Sequence, residues 1–457
     1  MPRRQLPAVF CLFMLAACAS APPKPVDRMP TAGGQVSEKV LDNGLKVLVK
    51  PDHRAPVVVS QIWYKVGSSY EPEGLTGISH VLEHMMFKGT DRLAPNEFSR
   101  IIANNGGREN AFTGRDYTSY FQQLEKSRLQ IALELEAERM QNLKLDSEEV
   151  RKEIQVVLEE RRLRTDDQPE SLTYEKFRST AFRESRYGNP VIGWPEDIRS
   201  LTVENLREWY RRFYAPNNAT LVVVGDVQPE DVFALAEQYF GPVPSQTVSP
   251  FPDPAESPQQ EARSVAVEAP ATVPYILFGF HAPNLGSEDA KPWEPYALEV
   301  LAYLLDGGKT SRLNKQLIRE QQVASSVGAG YDPGARLDTQ FVIDANPASG
   351  RTIEELRQAL LGVIDEIKNT RVTDDELDRV KAQLVASKVF EQDSNFYQGM
   401  LLGLFETNGH GWEVGQAFNE RLGRVTARQI QAVASKYLVE DNMTVAVLEP
   451  TALEARQ

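Results

Sequence analysis

Only two cysteines occur among the 457 residues, Cys11 and Cys18, and both lie in the N-terminal segment. The rest of the chain has no disulfide to lean on, even in an oxidising compartment, and must be held by its apolar core. Histidine is nearly as scarce, with five in all, so two at ligand spacing carry weight. Beyond the N-terminus, no stretch approaches the run of about twenty apolar residues that a membrane-crossing helix needs. Basic residues are outnumbered, 50 Lys and Arg against 64 Asp and Glu, for a formal net charge of -14. That balance argues against a nucleic-acid partner, which would call for a basic face. The remaining composition, 41% hydrophobic and 25% charged, is that of a soluble globular protein. The length favours two domains over one core.

The start, MPRRQLPAVFCLFMLAACAS, reads as a targeting segment. Arg3 and Arg4 precede an apolar stretch too short to span a bilayer. It ends in Leu15-Ala16-Ala17-Cys18, which resembles the lipobox of bacterial lipoproteins, where the cysteine becomes the lipid-modified first residue. A plain secretory signal cleaved after an A-x-A-like site is the competing reading. Ala19 after the cysteine, in such lipoproteins, favours the outer membrane. The expectation is therefore a signal peptide over 1–18, lipidation at Cys18 and a flexible Pro/Ala/Gly-rich tether over 19–36. The mature protein would face the periplasm from the outer membrane of a Gram-negative bacterium.

A second Pro-rich segment, PVPSQTVSPFPDPAESPQQEA, carries six prolines. It predicts a linker over 244–262 between domains at 37–243 and 263–451. The ends of these halves look alike. LTVENLREWYRRFYAPNNATLVVVGDV and VTARQIQAVASKYLVEDNMTVAVLEP each read as helix, polar turn and buried strand. At one constant offset Asn218 meets Asn442 and Thr220 meets Thr444. Duplication is the better account. Elsewhere in the first half the pattern predicts a hairpin turning at Asp42-Asn43-Gly44 and a strand through VVVSQIWYKVG. Helices follow through GISHVLEHMMFKGT and NEFSRIIANNG, then paired strands through RENAFTGRDYTSYFQQL. Two long charged helices come next, and the mixture implies an α+β fold.

GISHVLEHMMFKGT holds His80, Glu83 and His84. On a helix the two histidines stand one turn apart on one face and can point at a common atom. Imidazole nitrogen suits Zn²⁺. Glu83 lies beside them, placed to take a proton from an attacking water. H-x-x-E-H is the reversed form of the H-E-x-x-H zinc peptidase motif. Two histidines are still one ligand short of a catalytic zinc site. His53, His281 and His410 stand alone and read as surface or packing residues. KEIQVVLEERRLRTDDQP offers Glu153 and Glu160 on one helix face, interrupting an apolar stripe that includes Val156 and Val157. A glutamate on a charged helix is ordinarily solvated, and spacing alone does not choose between the two roles.

The stretches GISHVLEHMMFKGT, GGRENAFTGRDYTSYF, EEVRKEIQVVLEERRLRTDDQP, YGNPVIGWPEDIRSLT and YAPNNATLVVVGDV, in this order, resemble the pitrilysin/insulinase family of zinc peptidases. The likeness is to the branch similar to mitochondrial processing peptidase, and GGKTSRLNKQLIREQQVASSV extends it into the second half. The resemblance implies two homologous α/β-sandwich domains closing around a chamber, with one Zn²⁺ per chain. It implies Glu160 as third ligand beside His80 and His84, Glu83 as catalytic base and Glu153 as a catalytic support orienting the ligands. It implies that NAFT is an edge strand binding substrate through Asn110 and Ala111, where the residues alone would suit an internal strand. Short or unfolded polypeptides are the implied substrates. The family also uses an Arg and Tyr from the second half or a partner. No such pair is evident after Arg336, which leaves open a homodimer or a heterodimer with a zinc-less paralogue. A non-catalytic binding or assembly lipoprotein is the competing class. The second half supports the site from within the sequence: VLEHMM aligns with VLAYLL, so Glu83 becomes Ala302, His84 becomes Tyr303 and His80 falls on Glu299. Glu160 likewise falls opposite Ser387.

Overall fold

Strands β1 (Ser37–Val40) and β2 (Lys46–Pro51) pair antiparallel across a turn in which Gly44 takes φ 88°. This is the hairpin expected at Asp42-Asn43-Gly44. The computed structural model describes residues 34–249 and 254–452. Cys18, the signal segment and nearly all of the tether lie outside them. With β3 (Val57–Tyr64), β4 (Arg108–Thr113), β5 (Thr118–Glu125) and β6 (Ala219–Gly225), the hairpin builds a sheet of order β1-β2-β6-β3-β5-β4. Only β2 and β6 run parallel. The second sheet contains β7 (Arg263–Pro270), β8 (Tyr275–Ala282), β9 (Ala324–Tyr331), β10 (Thr339–Pro347) and β11 (Met443–Thr451). Its order is β7-β11-β8-β10-β9, with β7 and β11 parallel. Apart from β1, the two sheets share one topology, so the duplication read from the chain ends extends to the whole strand plan.

Every residue of β6 is buried, as a central strand covered on both faces must be. Alternation sorts the side chains. Val47, Val49, Leu221 and Val223 pack with Val81, Leu82 and Met85, under the half's own helices. Leu48, Trp63, Val222 and Val224 face the other way and pack against Leu402 of the second half. The second sheet repeats this: Ile276, Phe278 and Val445 face its own helices, while Leu277, Ala446 and Leu448 meet Phe177 of the first half.

The two halves thus exchange a helix. Pro169–Ala181 lies on the second sheet and Asn395–Thr407 on the first, each 13 residues long, the one following Ser147–Arg161 in the first half and the other Asp374–Glu391 in the second. The contact is built from one large and one small residue, in opposite senses. Trp63 of β3 sits over Gly403 of the helix, where a Cβ would run into the indole. Phe177 of the other helix sits over Gly279 of β8, where a Cβ would run into the phenyl ring. Thr220 pairs with Trp63 across its sheet and Thr444 with Gly279 across the other, so the four residues occupy matching places. No described helix is long and apolar enough to cross a membrane.

Candidate metal centre

The motif helix (Ile78–Met85) buries Ile78, Val81, Leu82 and Met85 in the core of the first half. That stripe turns His80 and His84 to the opposite side. Gly77 opens the helix with φ 84°, and its Cα faces that of Gly193, itself at φ 91°. Side chains at either place would separate the two backbones. The buried Glu71 carboxylate accepts from Gly77 N (2.7 Å) and Ser79 N (2.9 Å), satisfying donors at the helix start. Burial pushes its pKa up to about 7 against those two bonds.

The ligand helix (Ser147–Arg161) is capped by Asp146, whose side chain accepts from Glu148 N and Glu149 N. Val150, Ile154 and Val157 anchor it in the core. Val156 does not join that stripe as the sequence suggested: it is 50% exposed. One residue's step back from Val157, about 100°, is enough rotation on a helix to leave the buried face. Arg161 locks the helix end, its guanidinium forked on Glu175 at 2.7 and 2.8 Å and bonded to Gly193 O at 3.0 Å.

These two helices bring His80, His84 and Glu160 together, one ligand atom of each lying within 4.8 Å of the others. No other such group of His, Cys, Asp or Glu occurs among the described residues. His84 Nε2 lies 3.4 Å from Glu160 Oε2 and His80 Nε2 4.0 Å from it. Glu153 holds His84 from behind, Oε1 to Nδ1 at 2.8 Å, and is itself held by Lys88 Nζ at 2.6 Å. That bond fixes the ring and leaves Nε2 free, the arrangement second partners of metal ligands usually impose. Two imidazoles, one carboxylate and an open side fit a catalytic zinc site.

Burial, with the charges of His84 and Arg164, pushes His80 down to about 3, so it stays neutral and able to bind metal. Burial also pushes His84 down, but the Glu153 bond and charge outweigh it and leave the imidazole above its usual value. Burial raises Glu83, partly offset by Thr113, whose Oγ1 donates to Glu83 Oε2 at 2.5 Å. Thr113 was not singled out from the sequence, although it closes the NAFT stretch. Arg164, also missed, places Nη1 2.5 Å from Glu160 Oε1; only its i,i+4 spacing from Glu160 signalled it.

NAFT is an edge strand: β4 pairs with β5 alone. Asn110 is exposed and Ala111 half-buried, with the Asn110 side chain accepting from Ala111 N at 2.9 Å. A groove of about 650 Å³ runs past Asn110, Arg108 and Phe121 and is closed by Asn395 and Phe396 of the second half. Arg336 is engaged elsewhere, bonded to Asp116 (3.2 Å) and Ser69 (2.8 Å) with its guanidinium 4.3 Å above the Tyr70 ring. It joins the halves. The other three histidines bond Asp226, Ala181 O and Ala335 O and take no part in the metal group.

Comparison with known proteins gives matches of both sequence and fold. The sequence model described as "Insulinase (Peptidase family M16)" matches residues 46–194, and "Peptidase M16 inactive domain" matches 200–384. The second match starts before β6, which completes the first sheet. The "Zinc protease PqqE" of Helicobacter pylori is 32% identical over 78% of this chain and 80% of its own length. The crystal structure of a protease from Helicobacter pylori superposes with TM-score 0.86 at 29% identity, covering 91% of this chain and all of that one (100%). The periplasmic protease PqqL of Escherichia coli shares the fold with TM-score 0.77 at 21% identity, this chain covering 49% of that protein.

Proposed function

We propose, for a chain that belongs to the M16 insulinase family of peptidases, that it is an active zinc endopeptidase. It cuts short or unfolded polypeptides at the periplasmic side of a bacterial membrane. The observation that carries this is the convergence of His80, His84 and Glu160 beside Glu83, with Glu153 bracing His84.

His80, His84 and Glu160 would hold one zinc ion, which when bound supplies Lewis acidity toward the water and the scissile carbonyl. Glu83 takes the proton from the attacking water on a carboxylate oxygen and passes it to the leaving amine. Its raised pKa makes that carboxylate a stronger base than a free glutamate. Thr113 holds one oxygen of Glu83 and so leaves the other for the proton. The free edge of β4 offers backbone pairing to an extended peptide with limited sequence demand. Closure of the two halves around a chamber would exclude folded proteins. Lipidation at Cys18 would keep the enzyme at the outer membrane, acting as a homodimer or with a zinc-less paralogue that supplies an Arg/Tyr pair.

The test is to purify the protein, measure zinc by elemental analysis and follow cleavage of an unstructured quenched-fluorescence peptide. Zinc near one per chain with metal-dependent turnover is expected. A protein that binds no zinc and cuts nothing, even mixed with a paralogue, would be a binding or assembly protein instead.

A further inference from the structure

A cavity of about 470 Å³ opens beside the metal centre. Arg115, Arg164, Tyr174 and Arg178 of the first half line it, with Tyr275 of the second. Arg164 ties it to the site, since the same guanidinium touches Glu160. Arg115 follows Thr113 by two positions, just past the end of β4 and the Glu83 contact.

The charges lining this cavity do not balance. Arg164 is neutralised by Glu160, and the nearby Glu175 by Arg161. Glu170 also lines the cavity, accepting from Asn346 at 3.0 Å. Arg178 is only 5% exposed, yet its partners are neutral: Gln340 Oε1 at 3.0 Å and Tyr187 O at 3.0 and 3.3 Å. Arg115 has no carboxylate at ion-pair distance among the described residues, and its Nε is buried without an acceptor. Glu170 therefore faces two guanidiniums, Arg115 and Arg178, on which Asp332 and Asp116 act only from beyond ion-pair distance. Tyr174 senses the result: burial pushes its phenol up, but Arg178 and Arg115 outweigh burial and bring it below the usual value. A buried guanidinium such as that of Arg178, with a half-buried one beside it and no carboxylate in contact, is costly, and a carboxylate that forks onto them reduces that cost.

We propose that this cavity binds a carboxylate of the peptide being cut. The enzyme then prefers substrates with an acidic side chain, or a free C-terminus, at one fixed distance from the scissile bond. The inference rests on the peptidase reading above.

One glutamate is walked along a neutral flexible peptide, with glutamine at the same place as control, and each peptide is made as C-terminal acid and amide. The walk reports a side chain; the acid–amide pair reports a chain end. One of these carboxylates should raise kcat/KM on the order of ten-fold or more, the range for a charge-assisted hydrogen bond. Arg115→Gln should bring that ratio close to one, and Arg115→Lys, which keeps the charge but not the fork, should leave part of it. The same selectivity should appear as a difference in Kd on Glu83→Gln protein, where no turnover is needed. Wild-type protein that cuts acidic and neutral, acid and amide peptides alike overturns the inference while the peptidase reading stands. Carboxylate-selective binding that depends on Arg115, with no cleavage of any peptide, supports the cavity and sinks the peptidase reading. Equal binding of all peptides overturns the inference whatever the turnover.

Discussion

The same pair of helices occurs twice in this molecule, once with a histidine and glutamate set at its contact and once without. In the first half the motif helix crosses the ligand helix and places His80, Glu83, His84 and Glu160 at their contact. In the second half, Glu294–Asp306 crosses Asp374–Glu391 with Glu299, Ala302, Tyr303 and Ser387 at the matching places. There Lys388 Nζ stands 3.6 Å from Glu299 Oε1, an ion pair in place of a ligand set. Burial pushes the Glu299 carboxyl up, with Lys388 opposing it. The apolar residues of Glu294–Asp306 stay buried as those of the motif helix do. The helix pair needs no histidine to pack. The first half therefore carries half-buried imidazoles and partly or fully buried carboxylates that its fold does not require, a cost that points to chemistry.

The comparison can be broken first at Glu83. Glu83→Gln should lower kcat by about 10²–10⁴ through loss of general-base catalysis, with zinc content unchanged by elemental analysis. Ala302→Glu in the second half should restore nothing. Next come the groups around the metal. Glu160→Gln should weaken zinc binding most, and Glu153→Gln by about 10–100-fold, the usual cost of losing a ligand's partner. Competition with a chromogenic chelator measures both, and Glu299→Gln should leave zinc affinity where it was.

The exchanged helices offer a third test. Gly403→Phe sets a ring against Trp63 and should destabilise by about 1–3 kcal/mol, as overpacking does. Adding Trp63→Gly recreates the arrangement of Phe177 over Gly279 and should recover part of the loss in a thermal melt. The smallest effect belongs to Glu71, which braces the motif helix, whereas Glu294–Asp306 begins without a side-chain cap. Its folded pKa of about 7 lies above the ordinary 4.5, so the native state holds the proton more tightly. Stability from this group is full below pH 4.5 and is lost as pH rises toward about 7. Glu71→Gln should flatten the dependence of the melting temperature over that window.

Much of this was legible in the sequence because local patterns specify local structure. Asp42-Asn43-Gly44 marks a hairpin, and the apolar spacing in ISHVLEHM fixes which face of the helix the histidines occupy. Glu160 was different: helix periodicity put it on the face of Glu153, but only family likeness chose it as a ligand, since its partners lie far away in the chain. Thr113, Lys88 and Arg164 escaped as well. Thr113 and Lys88 act on groups brought near by tertiary packing, whereas Arg164 acts locally, through an i,i+4 spacing too common on charged helices to stand out. The helix exchange was equally hidden. The apolar faces of Pro169–Ala181 and Asn395–Thr407 show that each must be covered, not by which sheet, and the Pro-rich segment suggested two self-contained domains.

That exchange has a consequence for how the chain is assembled. Each sheet has one face that only the other half can cover, so neither half holds a finished core by itself. Cutting the chain between the halves should yield two fragments that stay bound rather than two separable domains. Produced apart, each would expose the face that Leu402 or Phe177 normally covers, and mixing them should regenerate a single complex by fragment complementation. Folding would then have a late, shared step, in which contacts far apart in sequence close together, with the loop-closure cost such contacts carry.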